Sequence, residues 1–172
     1  MKRLLVTMLV ALLVLSGFVP SLAVAAAPPG PTLVDVAIAV NAETGEFSTL
    51  IAAVLAADPA VLATLSGNGQ FTVFAPTDAA FAKLGLDADN IGNLDQGFLS
   101  QVLLYHVARG RRNSSAVLGS SRIRTLQGGF LFQSGGVLTD NLGRDANIIL
   151  TDVPAANGLI HAIDTVVLPF AP

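Results

Sequence analysis

Hydrophobic positions in the first two thirds of the chain recur at steps of three and four. Leu33, Val36, Ala37 and Val40 share one face of a helix. Thr32 stands just before them, and Asp35 completes a capping box in which Asp takes the usual place of Glu. Phe47, Leu50, Ile51, Val54 and Leu55 mark a second helix over residues 47–57. Asp58-Pro59 interrupts it, and Pro59 suits the first turn of a short helix running to Leu65. Gly67-Asn68-Gly69 forms a turn, and Phe71-Thr72-Val73-Phe74 reads as a strand ended by Pro76. Thr77 caps a helix that starts at Asp78, whose charge suits the positive helix end; Phe81 and Leu84 point inward and Gly85 closes it. Asp95 caps a longer helix with Phe98, Leu99, Val102 and Leu103 on its apolar face.

Beyond Tyr105-His106 the period changes. Residues 123–126, 130–132, 137–139 and 148–150 are short β-prone runs between glycine-rich turns, and Ser134-Gly135-Gly136 reads as a hairpin connection. Asn157-Gly158 suits a left-handed turn before a last strand-like segment from Leu159 to Leu168. Helices come mainly first and strands mainly last, which predicts an α+β fold over alternating βαβ units.

The N-terminus changes the picture of the whole. Met1-Lys2-Arg3 is positive, residues 4–19 are almost unbroken apolar, and Ala23-Val24-Ala25 offers small residues at the cleavage spacing of a secretory signal peptide. The rival reading, a retained anchor, asks for about 20 apolar residues, more than this run supplies. The sequence therefore divides into a signal peptide over 1–25, a Pro-rich leader over 26–31 and a single domain over 32–172. Cleavage after Ala25 leaves 147 of the 172 residues, enough to bury a core without staples. The chain has no cysteine, which excludes thiol catalysis, disulfide chemistry, Cys-based zinc sites and lipid attachment at a cysteine.

The formal charge of -3 becomes -5 once Lys2 and Arg3 leave with the signal, so the domain has no global attraction to nucleic acid. The charges are segregated, however. From Gln96 to Thr139 there is no Asp or Glu, and that stretch carries Arg109, Arg111, Arg112, Arg122 and Arg124. Such an island is either a solvated loop surface or a patch for a polyanion, since a guanidinium grips carboxylate or phosphate with two parallel hydrogen bonds.

Three segments carry a family resemblance. Residues 71–81 (FTVFAPTDAAF), residues 103–107 (LLYHV) and residues 157–164 (NGLIHAID) with 166–169 after them resemble, in order and spacing, the signatures of the fasciclin (FAS1) family. The likeness extends over nearly all of residues 32–169. It implies an α+β wedge of twisted antiparallel β-sheets flanked by several short helices. It also implies adhesion without catalysis, exercised on matrix polymers, polysaccharides or surface proteins, and in some members the carriage of apolar pigments. The family's Tyr-His motif falls on Tyr105 and His106, and its Asp-Ile pair on Asp152-Val153, with Val in place of Ile and Pro154 following. These four residues are carried over as a candidate adhesion contact.

No catalytic or metal-binding pattern competes. There is no Gly-x-Ser-x-Gly elbow, no phosphate loop and no H-x-x-x-H spacing. The two histidines, His106 and His161, both suit half-buried structural positions, and a Ser-His-Asp set is decided by geometry and not by order in the chain. The expected function is a secreted or otherwise extracytoplasmic adhesion module that binds a cell-surface or matrix polymer, an anionic polysaccharide among them, or a surface protein. No cofactor, nucleic acid or stable membrane span is expected. The alternative is a carrier of an apolar ligand such as a carotenoid or lipid.

Overall fold

Thr32 starts the first helix as its spacing predicts. In the computed structural model, which describes residues 29–170, Thr32 Oγ1 accepts from Asp35 N and the Asp35 carboxylate accepts from Thr32 N at 2.8 Å. The signal-peptide reading of Met1 to Ala25 lies outside the described residues. Helix α1 (Leu33–Thr44) is followed by α2 (Ser48–Ala56) and α3 (Pro59–Leu65), then by β1 (Phe71–Pro76) and α4 (Asp78–Ala82). A 3-10 turn (Ile91–Asn93) leads into α5 (Gln96–Tyr105), which ends at β2 (Val107–Arg109). Helix α6 (Ser114–Leu118) precedes β3 (Arg122–Arg124), β4 (Phe130–Ser134), β5 (Val137–Thr139), β6 (Asp145–Ala155) and β7 (Gly158–Ile163).

The strands form one seven-stranded sheet in the order β2-β1-β7-β6-β5-β4-β3. Every neighbour pair is antiparallel except β1 and β7, which run parallel from Phe71↔Gly158 to Pro76↔Ile163. The expectation of antiparallel sheets is thus corrected at one pair. Both strands are buried on both faces, as parallel strands usually are. The sheet curls until its two edge strands touch. Ala108 of β2 bridges Thr125 just beyond β3, and Leu126 N donates to Val107 O at 2.7 Å.

Two apolar clusters result. Phe74, Tyr105, Ile123, Leu131, Leu138, Ile163 and Val167 fill the inside of the curl. Leu33, Leu50, Ala53, Phe81, Leu99 and Leu103 pack the helices against β1 and β7 on the other side. Local chemistry explains the joints. Gly135 and Gly136 both have positive φ (60° and 91°), so the β4–β5 hairpin turns as a type I′ connection. Helix α2 has no side-chain cap of its own; Asp78 of α4 accepts from Ser48 N and Thr49 N instead, neutralising the exposed amides from across the fold.

Some expectations change. Leu84 is 42% exposed, because α4 ends at Ala82 before it can turn that side chain inward. The last strand stops at Ile163, and Val166 to Leu168 are buried without joining the sheet. Asn157 and Gly158 are not left-handed. Buried Asn157 accepts from Leu33 N and donates to Leu65 O and Gly67 O, tying the last strand to α1 and the end of α3. Gly158 is required because a Cβ there would overlap the Phe71 carbonyl on the paired strand.

Candidate functional site

The site is built where the sheet closes on itself. Arg109 ends β2, Arg111 and Arg112 follow in the loop, and Arg122 and Arg124 flank Ile123 on β3. These strands lie at opposite edges of the sheet, and only the curl brings them together. In the antiparallel bridge Ala108↔Thr125, the next residues out on each strand are Arg109 and Arg124. Arg109, Arg112 and Arg124 line a cleft of about 320 Å³ with Thr125, Leu126 and Gly128. Arg111 and Arg122 lie outside it; the Arg122 guanidinium sits over the Phe130 ring, 5.0 Å from its centre.

Buried side chains hold the arginine loop. Thr72 Oγ1 accepts from Arg112 N at 2.8 Å and donates to Gly110 O at 2.7 Å. Gly110 N donates to Gln70 O, and Gly110 takes a φ of 86°, open to glycine at no steric cost. His161 is fully buried, stacked on Phe74, with Nε2 2.9 Å from Arg112 O. A carbonyl only accepts, so Nε2 carries the proton and Nδ1 accepts from Asp152 N at 3.2 Å. Among the described residues the one arginine–carboxylate ion pair is Arg144 with Asp140, and none of these five arginines takes part in it.

Asp152 is placed beside this loop. Among the described residues it is the non-glycine residue with positive φ (61°), a conformation of sparse population that needs fastening from outside. Its carboxylate accepts from Ser114 N at the start of α6, and hydrogen bonding from the Ser114 side chain first, then from that N–H, holds its pKa below the ordinary carboxylate value against the effect of burial. Val153 is half-buried against the helix-side core. Ser114, Asp152 and His161 therefore meet, but not as a relay: the serine bonds to the Asp152 carboxylate, while histidine takes the backbone N–H of Asp152 and not its carboxylate.

Tyr105 and His106 are placed inside the molecule, 0% and 2% exposed. Burial removes them from any contact surface. The Tyr105 hydroxyl donates to Phe130 O at 2.6 Å and accepts from Asn141 N, and burial pushes its pKa up. His106 Nδ1 lies 2.8 Å from Val102 O, while Nε2 accepts from Val167 N at 3.2 Å. Burial pushes the His106 pKa down to about 4. The pair joins α5 to β4, to the Asn141 turn and to the C-terminal segment, so the motif is a structural rivet.

Sequence reasoning passed over Asp140. Its side chain is fully buried and accepts from Leu142 N, Arg144 N, Leu168 N and the Arg144 guanidinium. Burial pushes its pKa up, but those bonds outweigh it and hold the carboxyl below the ordinary value. A lone Asp in Thr-Asp-Asn-Leu-Gly reads as a turn residue, and nothing local announces the partner segment at Leu168.

A curled seven-stranded sheet packed with short helices, bearing at its seam a charged cleft, defines an α+β domain. A model of the Fasciclin domain matches residues 45–169, and the chain belongs to that family of non-catalytic, often surface- or adhesion-associated domains. It is 36% identical over 141 residues to the uncharacterized protein sll1735 of Synechocystis sp., covering 80% of this chain and 98% of that one. It is 37% identical over 126 residues to the cell surface glycolipoprotein MPB83 of Mycobacterium bovis, covering 72% of this chain and 56% of that one. The fold matches a FAS1 domain pair from the insect cell adhesion molecule Fasciclin I with a TM-score of 0.56 at 22% identity, over 73% of this chain and 46% of that one.

Proposed function

We propose that this chain is a secreted, extracytoplasmic adhesion module that binds a cell-surface or matrix polymer by contact, without chemical turnover. The observation that carries the reading is the gathering of five arginines around the sheet seam, three of them in one cleft, with no carboxylate paired to them among the described residues. Support comes from the family and from two similar proteins, MPB83, a cell surface glycolipoprotein, and Fasciclin I, a cell adhesion molecule. Among the described residues no helix is long and apolar enough to cross a membrane. The export signal over 1–25, the leader over 26–31 and a single FAS1 domain over 32–172 belong to the same proposal, and N-terminal sequencing of the exported protein tests the cleavage site. A binding screen against cell-surface polysaccharides and whole cells at low and high salt tests the function. Exposed charge contacts weaken once the screening length falls to roughly 8 Å at physiological ionic strength. Failure to bind any polymer or cell at low salt refutes it.

One observation favours a second reading, the carrier of an apolar ligand such as a carotenoid or lipid. A groove of about 100 Å³ opens among α1, α2 and α3, lined by Val34, Ile38, Ile51, Val54, Leu55 and Leu62, with Leu55 69% exposed. Solvent extraction of protein purified from its own host tests it: an extractable pigment or lipid supports the carrier, and clean protein removes it.

A further inference from the structure

The cleft at the seam is a built site and not a loose patch of charge. Arg109 and Arg124 face each other across the Ala108↔Thr125 bridge, and like charges placed directly opposite on neighbouring strands destabilise a sheet. Arg112 adds a third positive group to the same cleft. The sequence has no acid from Gln96 to Thr139, and among the described residues none of the three is in an ion pair. The backbone that presents Arg112 is nevertheless fastened before any ligand arrives, through Thr72 on its N–H and His161 on its carbonyl. Fixing the backbone that carries Arg112, whose Nε also donates to Arg109 O at 3.4 Å, lowers the ordering cost of binding an anion there.

The size and surroundings choose among anions. A cleft of about 320 Å³ is in the range of small-molecule sites and far larger than a bare carboxylate needs. The register pairs Arg122↔Phe132 and Arg124↔Phe130 put two arginines and two rings on the outer face of β3 and β4, beside the cleft. Phe132 is 47% exposed there. An exposed ring next to a cationic cleft suits a pyranose, whose C–H face packs on the ring while its charged substituent reaches a guanidinium. A flat anionic membrane would meet the outermost arginines first and gain nothing from a concavity.

We infer that the cleft formed by Arg109, Arg112 and Arg124 binds one carboxylate- or sulfate-bearing sugar unit of an acidic polysaccharide chain, which continues over Phe132. The inference rests on the polymer-binding reading above and assigns it a location and a chemistry. The test compares the full protein with Arg124→Gln and Arg111→Gln, which remove the same charge inside and outside the cleft. Binding is measured by titration calorimetry with polygalacturonate, dextran sulfate, neutral dextran and phosphatidylglycerol vesicles. Arg124→Gln weakens polymer binding about tenfold or more, as loss of a charge-assisted hydrogen-bonded contact does, while Arg111→Gln changes it by less than about twofold. Arg124→Gln also melts no lower than the unsubstituted protein without ligand, because it relieves the repulsion across the seam. Polygalacturonate binding alone assigns the carboxylate, dextran sulfate binding alone the sulfate. Equal losses in the two variants overturn the cleft while leaving a polymer-binding surface. Binding to vesicles but to neither acidic polymer overturns the sugar assignment. No binding to anything removes the cleft and the polymer reading together.

Discussion

His106 makes the fold acid-sensitive in a defined window. Its imidazole is buried between Val102 O and Val167 N, and protonation would put the ring's second proton on Nε2, the nitrogen that accepts from Val167 N. Burial lowers its pKa to about 4 from 6.5; the bond to Val102 works the other way, and the charges of Arg144 and Asp140 oppose each other. The unfolded chain therefore binds a proton at a pH where the native chain does not. The native preference is fully present above the unfolded pKa of 6.5 and is lost as pH falls towards 4. A shift of that size is worth about 3 kcal/mol, a large part of the ~5–15 kcal/mol by which a domain is stable. The depressed carboxylates Asp35, Asp140, Asp152 and Asp164 lose their stabilisation only as pH falls below their ordinary value of 3.8. Urea unfolding between about pH 7 and about pH 4.5 should show a loss of about 2.5 kcal/mol from His106, and His106→Gln should flatten that slope while lowering stability at neutral pH. With two histidines in the chain, two imidazole signals report directly by NMR. A His106 signal that titrates near 6.5 in the folded protein, or an unaltered slope in His106→Gln, refutes the reasoning.

Three further outcomes follow from the structure. Asp140→Ala leaves Arg144, Leu142 N and Leu168 N without their shared acceptor, and denaturant midpoints should show a loss of about 3–5 kcal/mol. Gly158→Ala drives a methyl group into the Phe71 carbonyl where β1 meets β7, and should cost about 3 kcal/mol or more, read as lost soluble yield or a lowered melting temperature. Thr72→Val removes no charge but frees Arg112 N and Gly110 O. It should weaken acidic-polymer binding severalfold in the same calorimetric assay, and unchanged affinity would show that the loop needs no fastening.

The legible parts of this protein are those whose causes lie within a turn of the chain. Thr32 and Asp35 are three residues apart, Asp95 caps the amide of Phe98, and Gly135-Gly136 supplies both positive angles of its hairpin, so each could be named from spacing and residue type. The family motifs were legible for the same reason, being contiguous. Two short elements were not: β2 has three residues and α6 five, too few to display a period, whereas β5 and α4, equally short, were marked by β-prone residues and by the Thr77 cap.

The sequence by itself determined an α+β chain with a family signature and an arginine stretch free of acids. Only the tertiary structure decided what those residues do. It buried Tyr105 and His106, made the turn residue Asn157 a tie between α1, the end of α3 and β7, and paired Asp140 with a segment 28 residues away. It also divided the five arginines, three into one cleft and two outside it. The physical reason is curvature. The edges of a seven-stranded sheet meet only after every strand between them has paired and twisted, and no local spacing in the chain records where that closure brings Arg109 against Arg124.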